Sequence, residues 1–400
     1  MDELSNVFTV TVKIRYMDSQ IQQVPLVGEE RETRLFPLPR PGHLRKIGYL
    51  GLPVQTSVDD FDWSKSVIPM QNKNSCWIDS IVVLGRALSL GLLVMDQLSP
   101  RAVDDLPREA RLAYDLFRKP FSLMTPEELC GEIDKLRRPL QELDDAPIYG
   151  FGSATQAWVK LTARLPQTTF TTCTILRCSG CLAVAKHPFP RVKQRNNVSI
   201  PVTLLPKALE DAAGTKTVSD YRATVQGQDA KVSSAAPDDE LAPLDTLMQI
   251  HFTSGVTDAT HGVSRCVCGG DWIALNMCVL DRLPHRLALT DSYSRSECNK
   301  DRQRDDTKDV RFTYFDRNGK SCLAHYTPTA FVIFSKAQEH FTTLVKTYRR
   351  DGSWYWVYFD GMASPRALEL TVERGNRLAN QCWQMMVMTR VYVPEGSTLL

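Results

Sequence analysis

The chain has 400 residues, of which 43% are hydrophobic and 24% are charged, which is typical of a globular protein that buries a substantial core. Its 48 basic and 46 acidic side chains give a formal net charge of +2, so no overall field draws it toward nucleic acid or a membrane surface. The N-terminus lacks the pattern of a secretory signal, and the most apolar run, residues 79–95, is too short to span a bilayer.

The first predicted elements are a strand and a buried helix. Residues 7–15 alternate apolar and polar side chains, which predicts a β-strand with one buried face. A connection rich in proline and glycine follows at residues 35–53. Residues 74–92 are apolar nearly all round, so we expect them to form a helix that lies deep in the core.

Two further helices are predicted before residue 170. Residues 124–140 begin with Thr125 as the N-cap, Pro126 at the first helical position and Glu128 as the partner in a capping box. Residues 152–165 are the other helix candidate. Together with the buried helix, these segments predict a helical region of about 90 residues.

Beyond residue 170 the pattern changes to short β-like runs, which continue to residue 393. Residues 208–240 interrupt them; they are rich in alanine, serine, aspartate and threonine, which predicts a long mobile insertion. Residues 296–310 are strongly charged and predict a solvated loop. Helices followed by strands indicate an α+β fold.

The cysteines indicate metal binding or thiol chemistry. Eleven cysteines without a secretory signal favour a cytoplasmic or nuclear protein with buried thiols, metal ligands or a nucleophile over a disulfide framework. Two close pairs are Cys178 with Cys181 and Cys266 with Cys268. Two such pairs in neighbouring β-turns can form a tetrahedral site, so we predict a structural zinc ion, with Cys173 and His261 as alternative ligands. Free thiols in turns are the other interpretation, but they would oxidise readily.

Three residues that are distant in sequence indicate a catalytic site. Cys76 lies at the start of the predicted buried helix, where free backbone N–H groups and the helix dipole favour a thiolate. His340 opens one predicted strand and Asp360 ends the next, so an antiparallel pair would place the carboxylate beside the imidazole. Each residue alone is more often a core cysteine, a surface histidine or a turn aspartate, but their combination favours a thiol enzyme.

With these residues and their surroundings the chain resembles the ubiquitin-specific proteases, which are cysteine peptidases of papain-like fold. QNKNSCWIDS resembles their cysteine box, and YTPTAFVIFSKAQEHFTTLVK with WYWVYFDG resembles their histidine box. TILRCSGC and RCVCGGDWIALNMCVLDRLPHRLAL resemble their zinc-bearing fingers. PLDTLMQIHFTSGV resembles the segment before the second cysteine pair, and RLANQCWQMMVMTRVYV resembles the closing strand. The pieces occur in family order over nearly all of residues 66–395.

The resemblance implies hydrolysis of the isopeptide bond after the C-terminal glycine of ubiquitin or a ubiquitin-like modifier. It makes Cys76 the nucleophile, His340 the base and Asp360 the orienting acid. The oxyanion donor of the family is usually asparagine, and its position here is Gln71, with the neighbouring Asn72 as the competing candidate. Conjugates of the modifier would be the partners, and the family default is a monomer.

The resemblance also divides the chain into four parts. A helical thumb would carry the nucleophile, zinc-bearing β fingers would follow, and a β palm would carry the histidine and the aspartate. The boundaries are 1–62 for a β-rich N-terminal extension, 63–168 for the thumb, 169–290 for the fingers with the insertion, and 291–400 for the palm.

Several positions depart from the family pattern. The glycines that usually flank the cysteine box and precede the histidine are replaced by Lys73 and Glu339, and the second aspartate of the family's FDD is Gly361. GSATQAWVKL lacks the acidic residues of the family's QDAxEFL helix. Trp77 and Asp79, close to the nucleophile, resemble the SUMO-directed branch of the family. The catalytic set is intact, but the choice of modifier stays open.

Three other functions compete with a deubiquitinase. The first is an inactive member that only binds the modifier, although such members usually lack a residue of the triad. The second is a SUMO-specific isopeptidase of the same fold. The third is a zinc-ribbon nucleic-acid binder, which would need basic and aromatic residues around its cysteines. Around Cys266 and Cys268 there are only one arginine, a tryptophan and an aspartate, so we expect no nucleic-acid partner, and we expect no membrane partner.

Overall fold

The structure is a computed structural model of the chain. It describes residues 69, 74–88, 100–119, 124–143, 151–186, 192–200, 242–253, 255–256, 266–291, 304–335, 338–348, 353–363, 367–380 and 383–391. The predicted N-terminal extension at 1–62 and the predicted insertion at 208–240 lie outside these residues.

The helices concentrate in the first part of the described chain. In chain order they are α1 Cys76–Ala87, α2 Pro100–Asp104, α3 Arg108–Phe117, α4 Pro126–Leu143, α5 Ala154–Leu161, α6 Leu244–Thr253 and α7 Val372–Ala379. The three predicted helices correspond to α1, α4 and α5, and α1 ends before the predicted residue 92. None of these described helices is both long enough and apolar enough to cross a membrane.

The strands follow the helical region. They are β1 Phe170–Cys178, β2 Val184–Lys186, β3 Lys193–Arg195, β4 Val198–Ile200, β5 Gly255–Val256, β6 Trp272–Val279, β7 Arg286–Asp291, β8 Val310–Asp316, β9 Ser321–Ser335, β10 His340–Tyr348, β11 Trp354–Phe359, β12 Leu368–Leu370 and β13 Trp383–Arg390. The longer strands, β1, β6–β11 and β13, coincide with the β-like runs of the sequence, whereas the short strands β2, β3, β5 and β12 were not predicted.

The described strands form one continuous hydrogen-bonded sheet. Its main path runs β12-β11-β10-β9-β8-β6-β1-β2, with β13 paired to both β9 and β7. Most pairs are antiparallel, while β6 with β8 and β4 with β7 are parallel. The coarse part of the α+β prediction, a mixed fold with helices first and a largely antiparallel sheet afterwards, is therefore confirmed.

Helix α1 is enclosed by the rest of the molecule. Every residue from Cys76 to Arg86 is buried, as the apolar sequence predicts. The helix packs against β10 on one side and against α3, α4 and α5 on the others. Thr343 Oγ1 of β10 donates to the carbonyl oxygen of Ser80 at 3.2 Å, which fixes the strand against the helix. Burial of each large side chain such as Ile78 or Ile81 stabilises this packing by about 1.5–3 kcal/mol.

The predicted capping box of α4 is present. The backbone N–H of Glu128 donates to Thr125 Oγ1 at 3.2 Å, and the backbone N–H of Thr125 donates to Glu128 Oε2 at 2.8 Å. Two N–H groups that the helix leaves free are satisfied in this way. At α5, Ser153 Oγ accepts from the backbone N–H of Gln156 at 3.3 Å, so this helix too begins at a capping residue.

The prediction of a solvated loop at 296–310 holds for the exposed Asp305, Lys308 and Asp309 but not for Arg304 and Asp306. Arg304 and Asp306 form an ion pair whose side chains are 9% and 8% exposed. Asp306 Oδ2 also accepts from the indole N–H of Trp383 at 2.7 Å, and Arg304 donates to the carbonyl oxygen of Ala242 at 2.9 Å. The partners come from distant parts of the chain, so the local charge pattern could not indicate burial.

This ion pair supports a stability prediction. We expect Asp306→Ala to lower the free energy of unfolding by about 3 kcal/mol, because it removes the carboxylate that faces both a buried guanidinium and a buried indole N–H. Urea unfolding followed by tryptophan fluorescence measures the loss. The matched control is Asp305→Ala, since the Asp305 side chain is 41% exposed and its removal should cost less than about 1 kcal/mol. Equal losses in the two variants would contradict the role assigned to Asp306.

Candidate functional site

Cys76 is the first residue of α1. Two residues before it, Asn74 has a φ of 62°, in the left-handed region that asparagine tolerates. The carbonyl oxygen of Ser75 accepts the first helical N–H groups, from Ile78 and Asp79, each at 2.9 Å. The two N–H groups before them, of Cys76 and Trp77, act to lower the pKa of the Cys76 thiol.

The thiol of Cys76 is 2% exposed. Burial raises its pKa above the ordinary value, the backbone N–H of Phe341 acts to lower the pKa, and the nearby carboxylate of Asp79 acts to raise it. Next along the helix, the Trp77 ring lies flat against Gly152, where a Cβ would come within 2.5 Å of the ring. The start of α1 thus places Cys76 in a tightly packed environment that disfavours a free thiolate.

His340 and Asp360 meet as predicted. His340 begins β10, Asp360 directly follows β11, and the two strands pair in antiparallel register from Thr343 opposite Phe359 onward. His340 Nε2 lies 2.9 Å from Asp360 Oδ1. The other ring nitrogen, Nδ1, is buried and has no hydrogen-bond partner among the described residues. Asp360 thus anchors the His340 ring through Nε2, and Nδ1 has no hydrogen bond to another described residue.

Asp360 is itself held in place by the turn that follows it. Its Oδ1 accepts the backbone N–H of Met362 at 3.0 Å and of Ala363 at 3.2 Å, in addition to the bond with His340. Its Oδ2 accepts from the Tyr358 hydroxyl at 3.4 Å. Several donors therefore fix the carboxylate in the orientation that it presents to the imidazole.

Cys76 and His340 line the same small cavity. Its wall also includes Asp79, Phe341 and Gly361. The structure therefore brings together the three residues of the predicted triad, because α1 packs directly on β10. The two predicted oxyanion donors, Gln71 and Asn72, lie outside the described residues.

The backbone just before His340 is strained. Glu339 has a φ of 47°, in the left-handed region where a side chain costs about 1–2 kcal/mol relative to glycine. This is the position at which the sequence departs from the glycine of the resembled family. The local conformation that glycine would favour is therefore retained here with a glutamate.

The sequence assigned no role to Asp79, which the structure makes a further candidate site residue. Asp79 is a carboxylate that is only 7% exposed and that lines the cavity beside Cys76. Its position three residues after the cysteine, on the same side of a helix, was the available signal. A single acidic residue in an apolar helix, one turn after Cys76, indicates a carboxylate held close to the thiol.

The four cysteines predicted as metal ligands also converge. Cys178 ends β1 and Cys181 lies in the following turn, whereas Cys266 and Cys268 lie in the turn that precedes β6. The antiparallel pairing of β1 with β6 brings the two turns together. All four sulfur atoms lie within 4.8 Å of one another. No disulfide joins them, since all four are free thiols.

The donor set fits a zinc ion. A regular tetrahedron with bonds of about 2.3 Å separates its sulfur atoms by about 3.8 Å, and the Cys178–Cys268 and Cys181–Cys266 separations are 3.3 and 3.6 Å. Backbone N–H groups also point at the sulfurs, as that of Gly180 does at Cys178 at 3.3 Å. A Cβ on Gly270 would lie 2.7 Å from Cys178 Sγ, so the turn needs glycine there to approach the cluster.

The alternative ligands are not part of this cluster. Cys173 lies opposite Cys278 in the β1–β6 pair, where both thiols are buried. His261 lies outside the described residues. Among the described residues, the four cysteines named by the sequence are therefore the ones that come together.

Comparisons with known proteins give structural similarity only. No protein-family model and no curated protein matches the sequence. One similar solved structure is the SAGA DUB module Ubp8/Sgf11/Sus1/Sgf73 bound to ubiquitin aldehyde, with 12% identity, 81% of this chain and 69% of that chain covered, and a TM-score of 0.46. Another is the Saccharomyces cerevisiae PAN2 pseudoubiquitin-hydrolase, with 14% identity, coverages of 86% and 92%, and a TM-score of 0.40.

A third similar structure is the Saccharomyces cerevisiae Pan2 pseudoubiquitin hydrolase–RNA exonuclease module in complex with AAGGA RNA. It has 14% identity, coverages of 86% and 57%, and a TM-score of 0.44. All three TM-scores lie below 0.5 and all three identities below 15%, so these structures carry no argument about the function of this chain.

Proposed function

We propose that this protein is a thiol-dependent isopeptidase that cleaves after the C-terminal glycine of ubiquitin or a ubiquitin-like modifier. The observation that carries the proposal is the hydrogen bonding and position of the His340 ring. Its Nε2 is bonded to Asp360 at 2.9 Å, its buried Nδ1 has no partner among the described residues, and His340 and Cys76 line the same cavity. A histidine oriented by a carboxylate and open toward a helix-start cysteine is the arrangement that activates a thiol.

In the first step, His340 Nδ1 accepts the proton of the Cys76 thiol, and the sulfur attacks the carbonyl carbon of the terminal glycine. Asp360 stabilises the resulting imidazolium through the Nε2–H bond. The charge that develops on the carbonyl oxygen needs donors. The backbone N–H of Cys76 and the side chain of Gln71 or Asn72 are our candidates for that role.

In the second step, the tetrahedral intermediate collapses and His340 donates its proton to the departing lysine amine, which leaves a thioester on Cys76. Water then attacks the thioester carbonyl while His340 accepts one of its protons. The C–S bond then breaks, the glycine carboxyl group is released, and His340 returns its proton to the Cys76 sulfur. The same imidazole therefore acts in turn as base, acid, base and acid.

The four cysteines would hold a structural zinc ion. Four thiolate ligands leave no open coordination position, so the ion would stabilise the two turns and take no part in hydrolysis. In the proposed architecture, α1–α5 form the thumb, the β1–β6 pair with its cysteine turns forms the fingers, and β8–β11 with β13 form the palm. The tail of the modifier would enter the cleft between thumb and palm.

Electrophilic probes test the proposal. The full chain is incubated with ubiquitin and, separately, with SUMO, each carrying a cysteine-reactive group at its C-terminus. We expect one covalent adduct with one of the probes, and none in Cys76→Ala. The matched control is Cys130→Ala, because Cys130 of α4 is a more accessible thiol than Cys76 and should not be the one labelled. Labelling that survives in Cys76→Ala, or no labelling by either probe, would overturn the enzyme assignment.

A second candidate function is an inactive protein that binds the same modifier. The burial of Cys76 and the raised pKa of its thiol favour this candidate, because both oppose formation of a thiolate. It predicts a wild-type chain that binds the unmodified modifier in isothermal titration calorimetry and forms no adduct with either probe.

A further inference from the structure

Asp79 occupies an unusual place for a carboxylate. It lies three residues after Cys76 on α1, and both side chains line the cavity that contains His340. Its 7% exposure is rare for an aspartate, because carboxylates are seldom buried without a partner. The mechanism described above does not use it.

Asp79 is held by a specific contact. Ser75 Oγ, at the residue before the helix, donates to Asp79 Oδ2 at 2.5 Å. The carboxylate is therefore fixed within the first turn of α1, on the side that faces the cavity. A buried carboxylate in this position places its charge close to the sulfur and far from screening solvent.

The groups around Asp79 are of both charges. From α4, the buried guanidinium of Arg137 attracts it and the carboxylate of Asp134 repels it. Cys76 is the titratable neighbour on its own helix, and His340 of β10 is the other titratable group in the cavity wall. Burial raises the pKa of the Asp79 carboxyl to about 8, although Ser75 and Arg137 act to lower it.

We propose that Asp79 is a positioning residue that sets the protonation state of Cys76. An ionised Asp79 holds the nucleophile as a thiol, since two negative charges in one buried cavity are unfavourable. A neutral Asp79 allows the proton of Cys76 to pass to His340. The consequence of this charge for catalysis rests on the proposed function, but the effect of the Asp79 charge on the pKa of the Cys76 thiol does not.

The sign of the pH dependence follows from the charges. Above a pH of about 8 the Asp79 carboxyl is ionised, and its charge raises the pKa of the Cys76 thiol. Asparagine at this position carries no charge at any pH. The pKa of the thiol should therefore be lower in Asp79→Asn than in the wild type.

The test measures the alkylation rate of Cys76 by iodoacetamide as a function of pH. Tryptic residues 74–86 contain Cys76 as their only cysteine, so mass spectrometry of this peptide reports on it alone. We expect Asp79→Asn to alkylate about tenfold faster than the wild type between a pH of about 8 and the pKa of its thiol, which corresponds to a shift of about one pKa unit, and at the wild-type rate well below pH 8, where Asp79 is neutral. The control is Asp115→Asn, an exposed aspartate on α3.

A second variant covers the case in which Asp79→Asn does not fold. Ser75→Ala keeps the carboxyl but removes the bond that lowers its pKa, so Asp79 stays neutral to higher pH and alkylation should again be faster. A wild-type pH profile in both folded variants, or an equal change in Asp115→Asn, would overturn the proposal. A shifted alkylation profile in a protein that no ubiquitin or SUMO probe labels would uphold Asp79 and reject only the proposed function.

Discussion

Alanine in place of Asp360 is expected to lower kcat/KM for hydrolysis of a modifier conjugate by about 10³-fold or more. Asp360 Oδ1 accepts the Nε2–H of His340 at 2.9 Å, and without it the ring loses both its tautomer preference and its stabilising charge. Steady-state cleavage of a fluorogenic conjugate measures the change. Asp360→Asn should lose less, because its amide oxygen can still accept from His340 and from the backbone of the following turn.

The structure offers a matched control for this prediction. His325 and Asp309 form a second histidine–aspartate pair, with Nε2 and Oδ2 2.8 Å apart, at the β8–β9 pair of the same sheet. Asp309→Ala removes an equivalent bond that does not involve the Cys76 cavity, so kcat/KM should stay near the wild-type value. Comparable losses in the Asp309 and Asp360 variants would mean that general destabilisation, rather than the orientation of His340, explains the effect.

We expect the purified chain to contain one zinc ion, and we expect Cys178→Ser to lose it. Four sulfur atoms within 4.8 Å of one another form a ligand set whose coordination free energy contributes directly to folding. Loss of the ion should lower the melting temperature by on the order of 10 °C. Inductively coupled plasma mass spectrometry gives the metal content, and differential scanning calorimetry gives the melting temperature.

The control for the zinc prediction is Cys322→Ser. Cys322 is a half-buried thiol on β9 that does not belong to the four-cysteine cluster, so its replacement should leave the metal content unchanged. A wild-type chain that is fully folded without zinc, in a buffer free of chelators, would reject the structural role of the ion. So would an unchanged zinc content in Cys178→Ser.

The parts of the fold that the sequence predicted are those governed by local rules. The capping box of Thr125 and Glu128 needs only residues three apart, and it is present. The apolar helix after Cys76 is buried because no face of it is polar. The pairing of His340 with Asp360 follows from two adjacent strands joined by a short connection, so it too was within reach.

The parts that were not predicted depend on partners that are far apart in sequence. Arg304 and Asp306 look like members of a solvated charged run, and only the indole of Trp383 and the carbonyl of Ala242 make their position an interior one. The burial of Asp79 was not predicted either, because it depends on helices that pack against α1, although the spacing of Asp79 from Cys76 could have marked it as a candidate. Helix α6 was missed, since its apolar residues pack on β8 and β6 rather than showing a clear pattern of their own.

The enclosure of α1 limits the substitutions that the residues around Cys76 can accept. Because every residue from Cys76 to Arg86 belongs to the interior, a substitution beside Cys76 that changes side-chain volume also costs packing energy, typically about 1–3 kcal/mol. A substitution that changes the surroundings of the Cys76 sulfur therefore also changes the free energy of unfolding. The turn after Asp360, where Met362 is 55% exposed, tolerates changes of side-chain volume better than this helix does.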